Sequence, residues 1–192
     1  MFSGIISWQA PILAIDHGTF TMYDIFGDLV LGQSIAHDGA CMTVSALGQE
    51  SYSFFVMEES FAKTNFASKK VWQSFNVERS IKYGDPVDGH FVTGHIDTTA
   101  IIHTIEKRED GSRYVTITLP SSSRPYLIDK GSIAINGVSL TVINPRIDND
   151  SCLFAISLIP YTMAHTNLGT LHEWDLVNIE FDMLGKYVIN KK

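Results

Sequence analysis

Two short polar pairs set the chemistry open to this 192-residue chain. Cys41 and Thr43 follow an Asp38-Gly39 dipeptide, and Ser139 and Thr141 follow an Asn136-Gly137 dipeptide. Successive side chains of a strand point to opposite faces, so each pair shares one face. Ala40, Met42 and Val44, and likewise Val138, Leu140 and Val142, share the other. A thiol ionises at about pH 8.5 and attacks electron-poor carbon better than a hydroxyl does. His95 adds an imidazole in Thr93-Gly94-His95, where glycine lets backbone approach a ligand closely. Alternation alone also fits solvent-facing strand residues, and Cys41 alone also fits a small buried apolar residue. The same polar pair met twice favours a face that holds a flat heterocyclic ligand.

The pairs recur because the chain is an internal repeat. Ser34–Val44 reads against Ser132–Val142, at an offset of 98 residues. Phe2–Ile6 echoes Val92–Ile96 at 90, while Thr64–Phe66 and Asn76–Glu78 echo Thr166–Leu168 and Asn178–Glu180 at 102. Four blocks in one order imply two pseudo-symmetric domains joined near Gly84-Asp85-Pro86. The copies differ at informative places: Cys41 against Ser139, and Ile5 against His95. Such asymmetry suggests two sites with different jobs.

Both dipeptide turns sit between apolar alternations, a strong hairpin signal. Tyr114–Leu119 and Cys152–Leu158 read as strands, and helical runs are brief: Glu58–Thr64, Ser122–Asp129, Tyr161–Thr166 and a last one from near Asp182. Many short strands with few helices point to small closed barrels. His37 and His103 lie in alternating strands, where exposure is expected, and His90 with His95 is poorly placed for a metal. The net charge of −7 and the lack of any Lys/Arg run argue against nucleic acid. No stretch is apolar and long enough to span a bilayer, and no secretory leader pattern opens the chain. Cys41 and Cys152 match no zinc spacing and are expected as reduced thiols in the cytoplasm.

Met1–Ile5, Gly89–His95, Lys130–Val142, Leu158–Thr162 and Gly185–Val188 together resemble the riboflavin synthase alpha-chain family, over essentially the whole chain. The resemblance implies an all-β fold of two tandem six-stranded closed barrels, residues 1–88 and 89–183, with a short C-terminal helix or tail over 184–192. It implies a transferase that dismutates two molecules of 6,7-dimethyl-8-ribityllumazine to riboflavin and 5-amino-6-(ribitylamino)uracil, with no cofactor and no metal. It also implies association with lumazine synthase and a homotrimer whose sites lie between the first barrel of one subunit and the second of a neighbour. At most about three helical turns remain at the C-terminus, so a weakened trimer is expected.

On this resemblance Ser34, Cys41 and Thr43 match the first-barrel site, and His95, Lys130, Ser139 and Thr141 the second. Cys41, His95, Ser34 and Ser139 are the expected catalytic groups: His95 helps proton transfer, and Cys41 or Ser34 positions the acceptor or a water. Main chain of Gly4, Ile5 and Ile6 and of Gly94, His95 and Ile96 is expected to read the pyrimidine edge. Met57, Glu58, Glu59 and Ser60 would line the first pocket, and Leu158, Ile159, Pro160, Tyr161 and Thr162 the second; Met42 and Leu140 are counted with them. Two residues depart from the family pattern: Ser3 replaces the usual threonine, and Asn136 stands where several members have aspartate. The alternative is a non-catalytic lumazine- or flavin-binding antenna. Proteins of that kind tend to alter Cys41, His95, Lys130 and Ser139, all of which are intact here.

Overall fold

A computed structural model describes residues 1–189; residues 190–192 of the expected tail lie outside the described residues. The first barrel comprises β1 (Trp8–Asp16), β2 (Thr19–Tyr23), β3 (Ser34–His37), β4 (Ala40–Leu47), β5 (Ser51–Phe55), α1 (Glu58–Lys63), a 3-10 turn (Asn65–Ser68) and β6 (Ser74–Arg79). Its six strands close in the order β1-β2-β5-β4-β3-β6. The second copy comprises β7 (Thr98–Lys107), β8 (Arg113–Pro120), β9 (Ser132–Ile135), β10 (Val138–Thr141), β11 (Ile143–Asp148), β12 (Ser151–Leu158), α2 (Pro160–His165), a 3-10 turn (Asn167–Thr170), β13 (Leu176–Phe181) and α3 (Met183–Ile189). It forms a seven-stranded sheet, β10-β9-β13-β7-β8-β12-β11. The edge strands β10 and β11 are consecutive, parted only by Val142, where β4 of the first copy runs on through a bulge. The expected helix over 122–129 is instead a 3-10 turn, Ser121–Tyr126, with Pro125 inside it. No helix among the described residues is long and apolar enough to cross a membrane.

Each copy buries one face of its strands in its own core. Phe20, Phe54, Phe66 and Phe75 crowd the first, with Phe20 stacked on Phe54 at 5.5 Å. Ile102, Ile117, Ile133, Phe154 and Ile179 fill the second. Each such side chain contributes about 1.5–3 kcal/mol by leaving water. Two residues cross over. Ile6 lies in the core of the second copy, and Ile96 packs on the core of the first. The leading segment of each repeat is therefore exchanged between the barrels.

The two hairpin turns meet back to back. Asp38, Gly39, Asn136 and Gly137 all have positive φ, as a two-residue type I′ turn requires. A Cβ on Gly39 would lie 2.8 Å from the nitrogen of Gly137, so neither glycine could carry a side chain. On β3 and β9, Ala36 and Ala134 cluster with Phe2 and Val92.

His37 corrects an expectation. It is fully buried, because it shares the inner face of β3 with Ile35 and points into the first core among Tyr52, Phe54 and Phe75. Its Nε2 lies 2.8 Å from the Tyr52 hydroxyl, and its ring sits 4.1 Å from that of Phe54. Burial lowers its pKa from 6.5 to about 3. The unfolded chain therefore binds a proton that the folded chain refuses between these values. The contribution of neutral His37 is complete above pH 6.5 and is lost toward pH 3, by up to about 1.4 kcal/mol per unit. Ile135 and Phe154 occupy the equivalent places in the second copy. A His37→Ile/Tyr52→Phe variant should show a flatter decline of urea-unfolding free energy from pH 6.5 to 4 than the parent. An unchanged slope would refute this account.

Candidate functional site

The polar pairs occupy the faces that alternation assigned to them. Along β4, Ala40, Met42 and Val44 enter the first core, leaving half-buried Cys41 and exposed Thr43 outward. Along β10, Val138 is buried and Leu140 packs on the second core, leaving half-buried Ser139 and exposed Thr141 outward. Ser34 lies opposite Thr43 across the hairpin, as Ser132 lies opposite Thr141.

The exchanged segments lie against these faces, and each lies against the hairpin of the other copy. The Cys41 amide donates to the Gly94 carbonyl at 2.8 Å, and the Ser139 amide donates to the Gly4 carbonyl at 2.8 Å. Gly94 and Gly4 have φ of +86° and +77°. A Cβ on Gly94 would stand 2.5 Å from that of Cys41, and one on Gly4 would stand 2.7 Å from that of Ser139. His95, grouped from the resemblance with the second-barrel site, is thereby carried to the Cys41 face. Gly94, His95 and Ile96 border the Cys41 face, and Gly4, Ile5 and Ile6 border the Ser139 face.

The two faces differ chemically. Nδ1 of His90 lies 2.7 Å from Oγ of Ser139, and the His90 amide donates to the Ser3 carbonyl at 3.1 Å. Desolvation by burial holds the His90 pKa below its ordinary 6.5. Sequence reasoning passed over His90 in favour of His95. His95 is exposed and its ring makes no hydrogen bond among the described residues. The cue available was Gly89: its Cα hydrogen faces Ser139, and a Cβ there would come within 2.8 Å of the serine Cβ.

Lys130 adds a cation at the start of the second hairpin. It is exposed and holds φ of +64°, where its counterpart Gly32 holds +81°. A lysine in a backbone conformation suited to glycine carries strain of roughly 1 kcal/mol or more, a pattern that accompanies functional side chains.

Other expected residues divide clearly. Side chains of Ile6, Met42, Leu140 and Leu158 belong to the cores, so these residues can offer a ligand only their main chain. Val44 pairs with Phe54, so β5 ends beside Thr43 and releases Met57, Glu58, Glu59 and Ser60 at that edge. Glu59 is engaged with Lys63 at 2.8 Å. Ile143 pairs with Ala155, which brings Ile159, Pro160, Tyr161 and Thr162 to the matching edge of β10. Tyr161 is exposed and stacks on His165 at 4.0 Å. On both faces the threonine is exposed and the residue before the intervening apolar one, Cys41 or Ser139, is half-buried. A cleft of about 720 Å³ lies across the pseudo-twofold axis, lined by Gln9, Lys69, Asn136 and Trp174 among others.

The close approach of Gly94 gives a direct test. Gly94→Ala should lower unfolding free energy by at least about 2 kcal/mol in urea, from a left-handed backbone plus the clash with Cys41. Gly27→Ala, also at positive φ but with open space around it, should lose only about 1 kcal/mol. Equal losses would mean that the Gly94–Cys41 contact is slack.

The lumazine binding domain model matches twice, at residues 3–80 and 93–182. The chain is 38% identical to the riboflavin synthase of Chlamydia muridarum over 99% of its own length and 94% of that protein's. It is 34% identical to the Escherichia coli riboflavin synthase, with 99% and 91% covered. Among solved structures it resembles LumP complexed with 6,7-dimethyl-8-(1'-D-ribityl) lumazine, at a TM-score of 0.79 and 26% identity, with 94% of this chain and 98% of that one covered. LumP complexed with flavin mononucleotide superposes with a TM-score of 0.78 at 25% identity, with 94% and 99% covered.

Proposed function

The chain belongs to the lumazine-binding-domain family, and from that premise we propose that it catalyses the riboflavin synthase reaction, passing a four-carbon unit between two molecules of 6,7-dimethyl-8-ribityllumazine. The observation that carries the proposal is the difference between two otherwise matched faces. One presents the Cys41 thiol, and the other presents Ser139 backed by His90 at 2.7 Å. Relatives of nearly the same length that bear the riboflavin synthase name support it.

Each face takes one lumazine. The 7-methyl protons of the substrate are acidic, because the ring delocalises the carbanion left behind. Ser139 and His90 serve as the group that removes one. A His90 held below its ordinary pKa is neutral at pH 7 and free to accept a proton through the serine. On the other face the Cys41 sulfur, on losing its proton, adds to C7 of the second lumazine and makes it the electrophilic partner. Thr43, Thr141 and Lys130, all exposed, are the groups we assign to the ribityl chains. The carbanion bonds to C6 of the second ring. The Cys41 sulfur leaves C7, and the 6-methyl carbon of the first molecule bonds there in its place. Cleavage of the second molecule's C6–N5 and C7–N8 bonds then releases 5-amino-6-(ribitylamino)uracil and leaves the four-carbon unit on the first molecule as riboflavin.

Bringing two rings face to face supplies much of the rate, since effective molarities of aligned partners reach about 10⁵ M or more. A single chain turns its two faces outward, so a second copy is needed to close one face over another. A trimer meets that need, and free cysteines fit a reducing cytoplasm. A binding-only reading draws support from the solved LumP complexes.

Incubation of the protein with 6,7-dimethyl-8-ribityllumazine should yield riboflavin fluorescence. Cys41→Ala, Ser139→Ala and His90→Ala should each slow turnover by roughly a hundredfold or more. Tight lumazine binding with no riboflavin formed would establish the binding-only reading. The acid limb of kcat/KM should have its midpoint below pH 6.5, with activity falling as His90 gains a proton. That limb should vanish in His90→Gln; its persistence would exclude His90 as the titrating group.

A further inference from the structure

Two buried carboxylates outside the chemistry just described hold the exchanged segments. Glu78, on β6 of the first barrel, accepts from the Ser3 amide at 2.8 Å, the Ser3 hydroxyl at 2.7 Å and the Gly4 amide at 3.1 Å. Glu180, on β13 of the second copy, accepts from the Thr93 amide at 2.6 Å, the Thr93 hydroxyl at 2.7 Å and the Gly94 amide at 3.0 Å. Only 8% of Glu78 and 2% of Glu180 is exposed. A buried carboxylate needs several donors, and each of these takes three from one dipeptide.

Each held segment then reaches across the axis. The Gly4 carbonyl meets the amide of Ser139, and the Ser3 carbonyl meets that of His90, both at the second face. The Gly94 carbonyl meets the amide of Cys41 at the first face. A carboxylate in one barrel is thus two hydrogen-bond steps from the ligand face of the other. Neither carboxylate faces a ligand, so neither is a catalytic residue.

We propose that Glu78 and Glu180 are positioning residues that act across the barrels: Glu78 sets how well the Ser139 face binds its lumazine, and Glu180 sets the same for the Cys41 face. The proposal rests on the reading that each face holds a lumazine. Glutamine is the informative replacement. It keeps the size but offers one acceptor oxygen and an NH₂ group, which must confront an N–H of the segment. The segment is then pushed off the opposite hairpin while the hairpin itself stays intact.

The test uses the full chain with methyl-¹³C methionine and a titration with 6,7-dimethyl-8-ribityllumazine. Met57, exposed at the head of α1, reports the first face, and Met163, half-buried where α2 packs on the second core, reports the second through movement of that helix. In the parent chain both methyl signals should move. If neither moves, lumazine does not bind and the functional reading fails, whatever the glutamates do. Given movement of both, Glu78→Gln should weaken the Met163 response by roughly tenfold or more and leave Met57 within about twofold. Glu180→Gln should do the reverse. Equal weakening at both methyls, or weakening confined to the barrel that carries the substitution, would overturn the crossed assignment. Should either glutamine variant fail to fold, Ser3→Ala and Thr93→Val each remove one of three donors, and the same crossed pattern at smaller size decides the matter.

Discussion

The rest of the structure depends on a buried network of amide hydrogen bonds that joins the two hairpin turns. Side-chain amides of Asn76 and Asn178 donate to the carbonyls of Asn136 and Asp38 across the axis, at 2.9 and 3.0 Å. Their own oxygens accept from the backbone amides of Asn167 and Asn65, both at 2.7 Å. These four bonds form two pairs, one member of each in either copy. Burial makes unmade bonds costly, so this set holds the barrels in one relative position.

One exchange breaks the symmetry and shows its cost. Asp38 stands where the second copy has Asn136, and Lys69, 2.6 Å from Asp38, stands where the second copy has Leu171. The charge and its partner differ together, as removing one member of a buried ion pair is strongly destabilising. Asn136 donates to the Asn167 side-chain oxygen at 3.2 Å, but a carboxylate has no such proton to offer. The matching oxygen of Asn65 is left without a partner. Asn136, the residue that departs from the aspartate of several family members, therefore works in the joint between barrels rather than on the outward faces.

With the turns pinned, register follows. A one-residue slip in either hairpin would turn Cys41 or Ser139 into the core, so locking Asp38 and Asn136 also locks the polar faces. The exchanged segments then find a fixed edge to lie on, and the glutamates hold them there. The first barrel itself encloses His37. Its ring shares the core-facing side of β3 with Ile35 and sits among Tyr52, Phe54 and Phe75, so its burial follows from barrel closure and from its bond to the Tyr52 hydroxyl.

Much of this was legible in the chain itself. The repeat, the two turns, the short strands and the split of Cys41 and Thr43 from Ala40, Met42 and Val44 all follow from local chemistry: strands alternate, and Asp-Gly and Asn-Gly accept positive φ. The asymmetries Cys41/Ser139 and Ile5/His95 were also readable by laying one copy on the other. Three features needed the fold. The pairing of His90 with Ser139 joins residues 49 apart. Ile6 and Ile96 serve the core opposite to the one their repeat suggests. The Gly94 segment borders Cys41 rather than Ser139. Sequence determines which residues share a strand face, because that is set within a few residues. Which face meets which segment is decided only when two barrels dock, since either segment could satisfy the same carboxylate geometry until the network on the axis chooses.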